Sequence, residues 1–166
     1  MASVEHAQTG CPPVSQNGWR QCATIYYNVS GFDANQFGQI LNGIDSWKSH
    51  NSTNNNSRVD LIQGTPPAGA TNYGTLNIQT GSTSAGNPAE TVKNTSSGAI
   101  TFATITFYLQ ATIPNTTPPQ LVFDPSVTGY DSAFKKVILH EFGHSMGLKM
   151  SRREPALVLG KALGTL

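Results

Sequence analysis

The chain has 166 residues and a net charge of +1, and only 11% of its residues are charged. This length suits one domain, which can bury a core without help from disulfides. The near-neutral charge argues against nucleic acid as a partner, because phosphate binding needs a basic patch, and no apolar run is long enough to span a membrane.

The N-terminal segment 1–22 contains both cysteines of the chain, Cys11 and Cys22. They enclose a short stretch with Pro and Asn-Gly turn signals. In an oxidising compartment they would form a disulfide worth about 2–3 kcal/mol, and two free thiols are the alternative. The many uncharged polar residues favour an extracellular β-rich domain. We therefore expect a secreted protein whose signal peptide has been removed, because MASVEHAQTG lacks an apolar core.

The pattern of apolar residues predicts four strands and two helices. Runs of β-branched and aromatic residues predict strands at 23–29, 58–63, 73–80 and 99–110. Apolar residues three and four positions apart predict helices at 34–49 and 131–147. A Gly/Ser/Thr-rich loop is expected to run from the third strand to Gly98, and a Pro-rich loop spans 111–129. This order of elements predicts a mixed α/β or α+β sandwich.

Each long element has a predicted core face. In the strand 99–110 this face holds Ala103, Ile105, Phe107 and Leu109, because alternate side chains of a strand point the same way. In the first helix it holds Phe37, Ile40, Leu41, Ile44 and Trp47, and in the second helix Phe134, Val137, Ile138 and Phe142.

The second helix also holds His140, Glu141 and His144. Residues i and i+4 share one face of a helix, so both imidazoles can reach one metal ion. Glu141 lies about 100° further round and can hold a coordinated water instead. Zinc lowers the pKa of such a water to about 7, and the carboxylate can pass its proton to a leaving amine. The pattern therefore points to amide hydrolysis with Zn²⁺ as cofactor. A helix with two exposed histidines is the alternative.

The stretch HEFGHSMGL, residues 140–148, resembles the metzincin zinc endopeptidases, whose pattern is HExxHxxGxxH, and is closest to the matrixin-like members. The resemblance implies His140 and His144 as zinc ligands, Glu141 as general base, and Gly147 as a turn residue in the left-handed conformation. It also implies a zincin-like fold, in which a twisted, mainly parallel sheet of four to five strands with an antiparallel edge strand is backed by two long helices. The strand 99–110 would then form the cleft rim, where a substrate peptide adds as a further strand.

The resemblance ends at Met150, which stands where the pattern has its third histidine. A thioether is poorly matched to zinc, and Glu154, His50 and His6 are weaker candidates for a third ligand. The tail 149–166 is atypical, because it holds 4 of the 10 Lys and Arg and no Asn. We therefore expect residues 1–148 to be the upper, N-terminal subdomain of a metzincin, truncated after the HExxHxxG part. A native basic C-terminal helix is the alternative.

The function expected from these patterns is that of a zinc-dependent endopeptidase acting on a peptide or protein substrate. Its activity is expected to be impaired, since the third ligand and the lower subdomain are absent. We expect a monomer. The alternative function is a non-catalytic secreted binding module, in which an open edge strand and the Thr/Asn-rich loops engage a partner.

Overall fold

A computed structural model of the chain describes residues 18–20, 22–54, 59–82, 87–112, 117–124, 126 and 130–148. Their elements follow in the order β1 (Thr24–Ser30), α1 (Ala34–Asn54), β2 (Asp60–Gln63), β3 (Tyr73–Gly81), β4 (Ala89–Ser96), β5 (Ala99–Tyr108) and α2 (Tyr130–Ser145). Neither of these two helices is long and apolar enough to cross a membrane. The tail 149–166 lies outside the described residues, as does most of the segment 1–22.

The five strands form one sheet in the order β2-β1-β3-β5-β4. β1 pairs in parallel with β2 and β3, β3 pairs in parallel with β5, and β4 pairs antiparallel with β5. Parallel neighbours need a crossover connection, and α1 supplies it between β1 and β2. The predicted mixed fold, with a mainly parallel sheet, an antiparallel edge strand and two helices, is therefore confirmed.

The identity of that edge strand differs from the prediction. Residues 81–98 were expected to be a loop but include β4, and β5 lies inside the sheet between β3 and β4. The prediction that strand 99–110 forms the rim was therefore wrong, because β4 is the edge. Ser97 and Gly98 join β4 to β5 with φ of 51° and 79°, as in a two-residue hairpin turn with both central residues at positive φ.

Both helices cover the same face of the sheet. Their buried side chains and the inward side chains of the strands belong to one core cluster, and a Cβ added at Gly43 of α1 would overlap the Ile138 side chain of α2. The predicted core faces are confirmed for Ile40 and Ile44, for Ala103, Ile105 and Phe107, and for Phe134, Val137, Ile138 and Phe142, all of which are buried. Burying one such aliphatic or aromatic side chain contributes about 1.5–3 kcal/mol.

The residues before β1 are attached to the sheet. Trp19 forms a parallel bridge with Ile100, whose N–H donates to the Gly18 carbonyl at 2.8 Å. The indole ring lies against Gly74, where a Cβ would overlap it, so only glycine leaves room for the tryptophan. Cys22 is disulfide-bonded, and the partner expected for it, Cys11, lies outside the described residues.

Candidate metal centre

The last turn of α2 ends at a glycine that reverses the chain. Gly147 has a φ of 94°, so its predicted left-handed conformation is confirmed. Its N–H donates to the His144 carbonyl at 3.0 Å, and the Leu148 N–H donates to the Gly143 carbonyl at 3.0 Å. These two bonds form a Schellman motif, which satisfies carbonyls that the helix leaves open at its C-terminus. The chain therefore returns along the helix directly after His144.

The structure brings His140 and His144 together. Their Nε2 atoms are 3.2 Å apart, and their ring centroids are separated by 4.7 Å with the rings nearly perpendicular. Two nitrogens bound to one tetrahedral zinc at about 2.0–2.1 Å would be separated by roughly 3.3 Å. The pair thus has the spacing of two imidazole ligands of one metal ion.

The reversed chain also orients one of these imidazoles. Nδ1 of His144 lies 3.2 Å from the carbonyl oxygen of Leu148. In the tautomer that carries the proton on Nδ1, this nitrogen donates to the carbonyl, and Nε2 keeps its lone pair on the side of His140. A backbone carbonyl on the second ring nitrogen is the usual support of a metal-binding histidine. The glycine turn after α2 therefore fits the ligand role of His144.

Glu141 lies beside the histidines but faces β4. Its side chain is 7% exposed, and its Oε2 accepts a hydrogen bond from Thr91 Oγ1 at 2.6 Å. Within the described ranges, no three His, Cys, Asp or Glu side chains are close enough to hold a metal together. The Glu141 carboxylate therefore does not form a three-ligand group with the two imidazoles.

Thr91 is a residue of this site that the sequence analysis missed. It pairs with the buried Ile105 of β5, and opposed residues of an antiparallel pair share one face of the sheet. Thr91 and Ala89, two positions earlier, consequently lie on the face that the helices cover. The alternation from Ala89 and the Ser97-Gly98 turn signal were the clues in the sequence, but polar residues elsewhere in β4 obscured them.

The C-terminal end of α2 is fixed by contacts with α1 and with the residues before β1. Phe142 is fully buried, and its ring lies 6.2 Å from that of Trp47 on α1. Ser145 is also fully buried; its hydroxyl donates to the Phe142 carbonyl at 2.8 Å, and its own carbonyl accepts from the Trp19 indole N–H at 2.8 Å. Fixed backbone on both sides of His144 limits how far its imidazole can move.

A third ligand is not among the described residues. Met150, Glu154 and His6 lie outside them, and His50 belongs to α1 with a side chain that is also outside the described part. The described residues therefore offer a metal ion two imidazoles, and the remaining coordination positions would be taken by solvent or by groups from the rest of the chain.

No protein-family model matches this sequence, and no curated protein matches it. Among solved structures, the chain is similar to myroilysin, a metalloprotease, with a TM-score of 0.46 and 15% sequence identity. The similarity covers 80% of this chain and 51% of that protein, so the chain spans about half the length of its structural neighbour.

Proposed function

We propose that this chain is a metzincin-type zinc peptidase domain in which His140 and His144 bind the metal. The observation that supports this most directly is the pair of Nε2 atoms facing each other at 3.2 Å. The carbonyl of Leu148, which lies 3.2 Å from Nδ1 of His144 and can accept a hydrogen bond from it, supports the same role. The two Nε2 atoms lie about as close as two ligands of one zinc ion would, and a hydrogen bond between the two rings is the alternative explanation of this contact.

The proposed reaction is hydrolysis of a peptide bond. A zinc ion, when bound, lowers the pKa of a coordinated water to about 7 and polarises the scissile carbonyl. Glu141, one residue after His140, accepts a proton from the attacking water and returns it to the amine that leaves. Its position directly after His140, on the helix that carries both histidines, supports this role.

The proposed substrate is an extended segment of a peptide or protein. β4 is the edge of the sheet next to α2, and its outer side presents main-chain groups that no other strand of the described sheet pairs with. A substrate chain could add there as one more strand, held by main-chain hydrogen bonds. The proposal thus assigns to β4 the rim that the resemblance had assigned to strand 99–110.

We propose that the activity of this chain is weak. Catalytic zinc sites use three protein ligands and keep one position for water, whereas the described residues provide two. We also propose that the protein is secreted and monomeric. The disulfide at Cys22 supports an oxidising compartment.

Zinc titration by calorimetry tests the metal site. His140→Ala and His144→Ala each remove a direct ligand, so the affinity should fall by more than the roughly 10–100-fold that loss of an outer-shell partner costs. His50→Ala removes the histidine of α1, which is only a weaker candidate for a third ligand, and should lower the affinity far less than either of these substitutions. Equal affinity in all four proteins would show that the pair is not the metal site.

Cleavage of unfolded casein in the presence of zinc tests the reaction. We expect slow cleavage that a chelator stops, and a loss of about 10²–10⁴-fold in Glu141→Gln, which keeps the shape of the side chain but removes the base. Zinc affinity should be nearly unchanged in that variant. Zinc binding without cleavage, and with no difference between the two proteins, would instead favour the non-catalytic binding module.

A further inference from the structure

The one side chain of β4 that touches the proposed catalytic machinery is Thr91, among the described residues. Its Oγ1 lies 2.6 Å from Oε2 of Glu141 and 3.1 Å from the carbonyl oxygen of the same residue. A threonine hydroxyl has a single proton, and O–H···O⁻ hydrogen bonds are about 2.5–2.7 Å long. The carboxylate is therefore the main acceptor, and the peptide carbonyl is a longer, secondary contact.

The position of this hydroxyl is set by the sheet and not by the helix that carries Glu141. Thr91 pairs with Ile105 of β5, and Ile105 is buried in the core cluster to which the helices and the sheet both contribute. The neighbouring inward residue Ala89 is likewise buried. The donor thus stands on a strand of the sheet and not on the helix that carries Glu141, and sites built on strands and helices are more precise than sites built on loops.

The contact with Thr91 engages one of the two carboxylate oxygens of Glu141, Oε2. Within the described part of the chain, Oε1 has no hydrogen-bonding partner, whereas Oε2 has Thr91. A glutamate has three side-chain torsions, and a buried carboxylate without a donor would carry a desolvation cost. The hydrogen bond from Thr91 restricts these torsions, and it lowers the desolvation cost because one carboxylate oxygen has a donor.

We propose that Thr91 is a positioning residue, whose hydroxyl holds Oε2 of Glu141 so that Oε1 is kept ready to accept the proton of the attacking water. This inference rests on the proposed peptidase function. Thr91 itself touches neither the histidines nor the reacting atoms in this arrangement. Its removal should therefore change the orientation of Glu141 and the rate of hydrolysis, and should spare zinc binding.

The first experiment needs no metal. The side-chain carboxyl carbon of Glu141 is assigned by NMR in the metal-free protein, using Glu141→Gln to identify its signal. Thr91→Val keeps the β-branched shape and removes the donor, so the Glu141 signal should shift. Thr91→Ser restores the hydroxyl, and Thr95→Val makes the same exchange at an exposed position of β4; both should leave the signal in place. An unchanged Glu141 signal in Thr91→Val would refute the hydrogen bond and the proposal with it.

The second experiment measures hydrolysis of a peptide substrate by the zinc-loaded proteins. Thr91→Val should lower kcat by roughly 10–100-fold, with KM and zinc affinity within about twofold of the unchanged protein. Thr91→Ser should recover most of the rate. A fall in zinc affinity that accompanies the fall in kcat would show that Thr91 merely ties β4 to α2, and would overturn the positioning role.

The two experiments separate this inference from the function on which it rests. If the unchanged protein binds zinc but never hydrolyses a peptide, the proposed function has failed and the positioning role fails with it, although the NMR result still reports whether the hydrogen bond exists. If hydrolysis occurs and Thr91→Val retains the full kcat, only the inference about Thr91 has failed.

Discussion

The two edges of the sheet differ in length, direction and neighbours. β2 has four residues, of which only Leu61 is buried, and it runs parallel to β1. β4 has eight residues, runs antiparallel to β5 and lies beside α2, to which Thr91 is hydrogen-bonded. The comparison shows that β2 adds one side chain to the core, whereas β4 also places a side chain beside the candidate metal centre.

The difference follows from the size of the inward side chains. β4 presents Ala89 and Thr91 to α2, whereas the inner face of the central strands presents large side chains such as Ile78 and Ile105. Small residues let a helix approach closely, so a short hydroxyl side chain on the strand can reach a carboxylate on the helix. The small inward residues of β4 therefore explain why this edge strand can hydrogen-bond to the Glu141 carboxylate.

The largest expected effect is a loss of stability caused by a substitution in β2. Leu61→Ala removes the one buried side chain of β2 and should lower the free energy of unfolding by about 2–5 kcal/mol, as measured by urea denaturation. Zinc affinity of the folded variant should be unchanged, because the described contacts of His140, Glu141 and His144 do not involve β2. Ile62→Ala, at a position that is 46% exposed, is the control and should change stability by less than about 0.5 kcal/mol. A fall in zinc affinity in Leu61→Ala would contradict the division between the two edges.

The next largest effect is a loss of stability when the C-terminal end of α2 loses a hydrogen bond. Trp19→Phe deletes the indole N–H that the buried Ser145 carbonyl accepts, so stability should fall by about 1–3 kcal/mol. Trp47→Phe is a matched control, since its buried N–H has no hydrogen-bonding partner in the described part of the chain. Both exchanges remove the same ring volume, and thermal unfolding of the pair isolates the hydrogen bond. Equal destabilisation would mean that the Trp19 bond contributes nothing.

A smaller effect concerns the turn that follows His144. Gly147→Ala places a Cβ at a φ of 94° and should cost about 1–2 kcal/mol, with some loss of zinc affinity as the Leu148 carbonyl moves away from Nδ1. Gly38→Ala is the contrast, because it lies inside α1 where a Cβ meets nothing within 4 Å. That exchange should stabilise the protein by about 0.5–1 kcal/mol. If both variants respond in the same direction, the left-handed turn is not what Gly147 provides.

The smallest expected effect is a change in the pKa of Tyr108, which contacts the outer side of β4 through Glu90. Burial raises the pKa of Tyr108, and a hydrogen bond to Glu90 of β4 and the negative charge of that residue raise it further. Glu90→Gln removes the charge, so the pKa of Tyr108 should fall towards its ordinary value of 10.0. An ultraviolet difference titration measures it, with Tyr108→Phe identifying the transition. A pKa that does not move would show that the β4 carboxylate does not act on this phenol.

The sequence by itself determined the parts of the protein that depend on near neighbours. His140 and His144 meet because one helical turn separates them, and Gly147 reverses the chain because only glycine readily takes a positive φ after a helix. The core faces of α1, α2 and β5 follow from the same local periodicities. These features need no knowledge of what lies across the fold. The predicted core faces are correct for α2 and for most positions of α1 and β5, whereas Phe37 of α1 lies outside the core cluster.

The tertiary structure alone decided which strand forms the edge and which distant residues support the site. Thr91 is 50 positions from Glu141 and Trp19 is 126 positions from Ser145, so neither contact leaves a pattern in the sequence around it. β4 in particular is the last strand of the described sheet, and most of its residues are exposed. Those positions can be polar, so β4 lacks the apolar pattern by which a strand is usually predicted. Strand pairing and register depend on side chains far away in the chain, and for that physical reason the donor to Glu141 became visible only once the sheet was assembled.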